Sequence, residues 1–239
     1  MAALLSYLHK CFIRSYRYGP ASFVFVAGIC FVFMVVPNPV MDSYAFSTTF
    51  LFIVTSVLCY SFIDLESVSQ ESITLLHCGS IVKLYIAKLL YCWLFTLPLA
   101  LFAVLYPFIF NKFNREPLLE ELIMAFLYHI LSSWLAVVIT CWFSKKFIQS
   151  RFMSFLSLGL LLAMTLAAKG IQSELPQALS KATIIIPPLQ MTVNLLSTYE
   201  TATTLNKLSA IGATLLYSFI VAGLLLLVMH KRKLDSAQS

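Results

Sequence analysis

Charge is scarce in this chain. Asp, Glu, Lys and Arg make up 11% of its 239 residues, against about a quarter in a soluble domain. That excludes an ordinary water-soluble globular domain. Glycine is scarce as well, with seven residues, and no GxxxxGK[ST] run occurs. The chain therefore carries no P-loop and no phosphate-cradling loop of its own. The six cysteines (Cys11, Cys30, Cys59, Cys78, Cys92 and Cys141) form no CxxC pair and no Cys/His metal spacing. They read as reduced, small, mostly buried residues rather than a disulfide or zinc framework. The hydrophobic runs hold no chain of Asp, Glu or Arg, which argues against a proton-coupled carrier or an ion pump. The first residues lack an uninterrupted apolar core and a small-residue cleavage site, so no cleavable signal is expected.

What is abundant is apolar surface. Hydrophobic residues reach 60% and mean hydropathy is +0.90. The expectation is an all-α, polytopic membrane protein forming one transmembrane domain over 1–239. The pattern gives six spans of bilayer length, at about 21–36, 44–63, 84–110, 121–143, 152–168 and 208–229. Pro98 and Pro107 are expected to kink the third. Ahead of the first span, about 3–18, Leu4, Leu5, Leu8, Cys11, Phe12 and Tyr16 share one helical face, with His9, Lys10, Arg14 and Arg17 on another. That predicts an amphipathic interface helix, or more simply a basic anchor.

Lys and Arg fix the expected orientation. Lys10, Arg14, Arg17, Lys83, Lys88, Lys145, Lys146, Arg151, Lys231, Arg232 and Lys233 fall on one side. Lys112, Arg115, Lys169, Lys181 and Lys207 fall on the other. Both termini are then cytosolic, in a multi-pass plasma-membrane protein. The same rule explains the net charge of +6 without invoking nucleic acid.

Three polar features stand out. The outward stretch of about 170–207 contains Pro187, Pro188 and Leu189, and Leu189, Val193 and Leu196 recur at helical spacing. It reads as a short helix or re-entrant hairpin and a candidate external gate; the alternative is a surface loop with an interfacial helix. His129 is a candidate intramembrane polar site, or a hydrogen-bonded packing residue. Glu120 and Glu121 with His129 raise an intramembrane protease, but Ala125 stands where an arginine is wanted, and helix-start charges explain the pair more simply. Ser47, Thr48, Thr49, Thr55 and Ser56 crowd the second span, which suits close helix packing or a pathway lining.

Between the second and third spans lies Asp64–Lys88, DLESVSQESITLLHCGSIVKLYIAK. Leu65, Val68, Ile73, Leu75 and Leu76 suit an amphipathic surface helix over about 64–80, with Asp64, Glu66, Gln70 and Glu71 as its polar face. Such a helix can sit in a groove of a soluble partner, or can simply join two spans. With Glu66 and Glu71, then Thr74-Leu75-Leu76, Cys78-Gly79-Ser80 and Lys88, the chain resembles the permease subunit of type-2 ATP-binding-cassette exporters. The family's six spans, cytosolic termini, interface helix, coupling helix and proline-containing external hairpin all have counterparts. It departs in having no arginine after the glutamates, no glycine before the Thr-Leu run, and Cys78 where proline is common.

The resemblance implies a pair of permease subunits, identical or related, in a lipid membrane. It also implies a soluble P-loop ATPase that holds ATP and Mg and docks on Asp64, Glu66, Glu71, Leu75 and Leu76. This chain itself would bind no cofactor and catalyse no reaction. Stand-alone permeases of this size often export peptides or antibiotics, giving an amphipathic or hydrophobic substrate. A non-transporting membrane interaction protein is the competing reading.

Overall fold

The structure is a computed structural model that describes residues 1–174 and 186–238, with side chains up to Lys231. Among the described residues every regular element is helical, apart from one isolated bridge between Asn38 and Phe113. The helices are α1 (Ala2–Ser15), α2 (Gly19–Val32), α3 (Val40–Ile63), α4 (Val68–Cys78), α5 (Ile81–Ile109), α6 (Leu119–Thr140), α7 (Arg151–Leu166), α8 (Ala168–Glu174), α9 (Leu189–Ser197) and α10 (Thr204–Gln238). A single 3-10 turn, Cys141–Phe143, prolongs α6. Residues 175–185 of the expected gate, including Lys181 and Thr183, lie outside the described residues.

Four helices are long and apolar enough to cross a membrane: α3, α5, α6 with its 3-10 turn, and α10. The pair α7 and α8 makes a fifth if it is one span, although the two are bent by 65°. The first expected span, α2, has 14 residues, short of the ~20 that a bilayer needs. It stops at Val32, ahead of Pro37 and Pro39; residues before proline are biased out of the helical region. α5 stays helical through Pro98 and Pro107.

α3 and α6 are the most buried spans and run parallel as the axis of the bundle, with Ser47 beside His129 near one end and Cys59 beside Cys141 near the other. Their shared seam is made of small residues: Ser47, Thr48, Thr55 and Ser56 face Ala125, Ser132, Ser133 and Ala136, all buried. Small side chains let two backbones approach, which is how helices associate where lipid removes the hydrophobic driving force. α5 and α10 flank this pair, and α2 lies against α3 and α5. α1 does not merely rest on lipid. Its Leu8 and Phe12 are buried, and Phe12 meets Phe62, Tyr91 and Phe95 edge-on. Tyr16, expected on that face, adopts a left-handed conformation that ends the helix and is exposed.

α9 is inserted into the bundle. Leu189 packs with Phe52, Leu135, Ala136 and Ile139 near the middle of α3 and α6. From there the helix runs to the end of the molecule where Glu200 meets Arg115.

Gly28 lies where α2 crosses α3. A Cβ there would stand 2.5 Å from Phe50 Cε1 and 2.8 Å from Cζ. We expect Gly28→Val to lower stability by about 1–3 kcal/mol through overpacking. Gly223→Val on α10, with open space around it, should be close to neutral. Denaturant unfolding in detergent checks this, and equal effects at the two sites would contradict the packing.

Candidate functional site: a buried ion network under an exposed helix

α4 is built to be a separate, well-ended helix. Ser67 Oγ accepts from the Gln70 N–H at 3.3 Å, and Gln70 Oε1 accepts from the Ser67 N–H at 3.2 Å. These reciprocal bonds satisfy donors that the first turn leaves open. At the other end Gly79 has φ +72°, and its N–H closes on the Leu75 carbonyl at 2.9 Å. Glycine adopts this left-handed conformation without a Cβ penalty.

The face that α4 turns inward holds Glu71, Thr74, Leu75 and Cys78, at the i, i+3, i+4, i+7 spacing of one helical stripe. Thr74 is buried and the other three are partly buried. The centre of this contact is Lys88, two turns into α5 and only 3% exposed. Its Nζ lies 3.0 Å from Glu71 Oε1 and 3.1 Å from Glu66 Oε2. It also donates to the Ile63 carbonyl at 3.4 Å. The Glu66 contact is an ion pair outside hydrogen-bond alignment. Glu66 Oε1 accepts from Thr74 Oγ1 at 2.8 Å and from the Tyr7 hydroxyl of α1 at 3.2 Å. Glu71 Oε2 takes a second cation, Lys146 Nζ, at 3.1 Å. The Tyr85 ring lies 5.6 Å from Lys88 Nζ and 5.1 Å from Lys146 Nζ. Asp64 stands beside this cluster, its Oδ2 accepting from the Lys145 N–H at 2.8 Å.

Two acids expected on the outer, partner-facing surface are therefore turned inside. A face assignment by polarity puts glutamates toward water; a lysine buried in the adjoining span reverses it. A buried cation without counter-charges is very costly, so the nearest acids fold over it. Leu75 also turns in, against the main apolar cluster. Of the five residues expected to dock a partner, only Leu76 projects outward, at 82% exposed. Val68 and Ile73 project with it. The outer surface of α4 thus presents Val68, Ile73 and Leu76 among exposed Ser69, Gln70, Ser72 and His77, with no carboxylate. The sequence signal for this was Lys88 itself, a lysine inside the run YIAKLLY.

The opposite end has its own ionic tie. Arg115 holds Glu121 through two bonds of 2.6 and 2.8 Å and Glu200 through one of 3.0 Å. Glu121 also accepts from the Leu118 N–H at 2.8 Å, capping α6. Glu120 meets Lys207 at 3.2 Å and the Tyr199 hydroxyl at 2.7 Å. Both glutamates are engaged by cations that fasten α6 to α9 and α10. His129 lies apart from them. Its Nδ1 is 2.7 Å from the Ala125 carbonyl, and Ser47 Oγ is 2.8 Å from its Nε2. A carbonyl only accepts, so Nδ1 carries the proton and Nε2 accepts from Ser47. The ring bridges α3 and α6 with both nitrogens satisfied.

Of the expected gate residues, Pro187 is buried, Pro188 precedes the first turn of α9, and Leu189 is 1% exposed in the core. Gln190 fastens this point to α7 by donating to the Leu166 carbonyl at 2.6 Å. Among the described residues no cluster of three or more His, Cys, Asp or Glu could hold a metal ion.

Replacing Lys88 with Met leaves Glu66 and Glu71 without their buried counter-charge. Breaking one side of a buried pair costs about 3–5 kcal/mol, and denaturant unfolding of Lys88→Met should show a loss of that size. Acid should loosen the same contact. Burial pushes the Glu71 carboxyl up, but Lys88 and Lys146 outweigh it and hold it below its ordinary 4.5. Its contribution is therefore complete above 4.5 and is lost as pH falls through the lowered value. Asp64 has the opposite sign. Burial lifts it above 3.8 against the Lys145 N–H, so its protonation does not add to the loss. Amide exchange in α4, corrected for intrinsic rates, should quicken below the ordinary glutamate range. Unchanged protection there would contradict the network.

Compared with family models, with curated proteins and with solved structures, the chain matches none. Its described residues are all-helical, and among them four helices, or five with the bent pair, are long and apolar enough to cross a membrane.

Proposed function

We propose that this chain is the transmembrane permease subunit of an ATP-driven exporter of the type-2 ATP-binding-cassette kind. It would work as a pair of permeases with a separate soluble ATPase. The observation that carries this reading is α4. It is a short helix, capped at both ends, at the lysine-rich end of the bundle, with Val68, Ile73 and Leu76 exposed. Those side chains are available to a groove on a soluble partner. The carboxylates of Glu66 and Glu71 are already committed to Lys88, so docking rests on the apolar side chains of the outer face.

In this reading the lysine-rich end and both termini are cytosolic. α2 and the α7–α8 pair complete a six-span arrangement. α9 and the turn after it, which together reach from Leu189 in the core to Glu200 at the opposite end, would be the inner arm of an external hairpin. With Pro187 and Pro188 at its start, it would close the path from outside. ATP binding on the partner would shift the permease pair between two arrangements. The substrate would be an amphipathic peptide, an antibiotic or another hydrophobic compound.

Tagged purification in mild detergent tests the reading. The parent chain should bring down a stoichiometric soluble P-loop ATPase that hydrolyses ATP. Val68→Asp with Leu76→Asp should lose it while the protein stays inserted and as stable as the parent. Absence of an ATPase from the folded parent would contradict the proposal.

A further inference from the structure

Five parts of the chain meet at Lys88. Tyr7 brings α1, the Ile63 carbonyl brings the end of α3, and Glu66 and Glu71 bring α4. Lys88 stands on α5, and Lys146 brings the segment after α6. Two ammonium groups face two carboxylates, so the group is balanced in charge. Apart from Leu75 against the main apolar cluster, little else ties α4 down, for Thr74 is its one buried residue. We propose that Lys88 is the positioning residue through which movement of α4 is passed to the spans. The inference rests on the permease reading above and adds the part that transmits the motion.

The physical reason is the cost of separation. Lys88 has no water to take the place of the carboxylates, so pulling α4 away would strand a buried charge. A partner that shifts α4 must therefore carry α5 and the Lys146 segment with it. α5 then reaches the far end without interruption. There the Pro107 carbonyl takes the Lys112 N–H at 2.9 Å, the Asn38 N–H donates to the Lys112 carbonyl at 3.1 Å, and the Asn114 N–H donates to the Asn38 carbonyl at 2.9 Å, across the Asn38–Phe113 bridge. Asn114 and Arg115 line a polar cleft of about 380 Å³ with Asp42, Thr198 and Glu200. A tie at one end of α5 is thus joined through backbone to an opening at the other.

The test separates a transmitting role from a merely structural one. The triple variant Lys88→Met, Glu66→Gln, Glu71→Gln removes the ion pairs and leaves no fully buried charge, since Lys146, which loses Glu71, is 31% exposed, so it keeps the fold even if Lys88→Met alone does not. The complex with the ATPase is placed in nanodiscs with Thr198→Cys, and maleimide labelling at position 198 is followed with and without ATP and vanadate. We expect nucleotide trapping to change the rate about tenfold with Lys88 present. In the triple variant that response should be lost although the ATPase still binds and hydrolyses ATP. Lys88→Arg should keep it. A triple variant that responds like the parent overturns the proposal.

A parent that binds no ATPase overturns the permease reading instead. Native Cys78 on α4 then decides for Lys88. Its maleimide labelling should be about tenfold faster in the triple variant, and unchanged labelling overturns the tie itself.

Discussion

An ammonium group inside a hydrophobic helix sets the constraint on which the rest of this structure depends. Lys88 interrupts an otherwise apolar span and is almost fully buried. Its charge is tolerated only with counter-charges in direct contact. Those counter-charges come from a turn and a helix that would otherwise have no reason to lie flat against the bundle. The same lysine therefore decides that α4 docks, which face it turns inward, and which face it leaves to the outside. Lys146 and Tyr7 extend the contact to elements at both ends of the sequence order, so the lysine-rich end holds together as one piece.

The two ends of the bundle use the same device for different elements. At the far end Arg115 and Lys207 take Glu121, Glu200 and Glu120, and so fasten α9 and the start of α10 to α6. Between the ends the contact is neutral. Small residues let α3 and α6 approach, and His129 bridges them by hydrogen bonds that need no charge. Ionic contacts thus sit at the two ends of the bundle, and neutral ones occupy the middle. This is the distribution that the cost of burying charge demands.

Much of this architecture was legible in the sequence. Long apolar runs gave α3, α5, α6 and α10, because a span of that length has few other uses. The Ser and Thr residues of α3 announced a close helix contact, and the proline pair before Leu189 announced a helix start. Length failed at α2, where a hydrophobic run to Val36 yields a helix that ends at Val32. The periodicity of α4 was visible, but its orientation was not. Glu66 and Glu71 look like outward-facing acids until Lys88, seventeen and more residues along, is placed beside them. Likewise Glu120 and Glu121 resemble a paired acid site until Arg115 and Lys207 occupy them. Both cases have one cause: a side chain's partner in space decides whether its charge faces water, and that partner is distant in sequence.

The exposed strip of Val68, Ile73 and Leu76 follows from the same balance, since the acids that would have kept it polar are used below it. The most direct measurement of this account is a dipolar recoupling experiment by solid-state NMR in bilayers, between lysine ¹⁵Nζ and glutamate ¹³Cδ nuclei. The account predicts close pairs from Lys88 and Lys146 to Glu66 and Glu71 that vanish in the neutral triple variant, while the Lys207–Glu120 pair stays. Lys88 with no glutamate in contact, and Glu66 and Glu71 free in water, would contradict it.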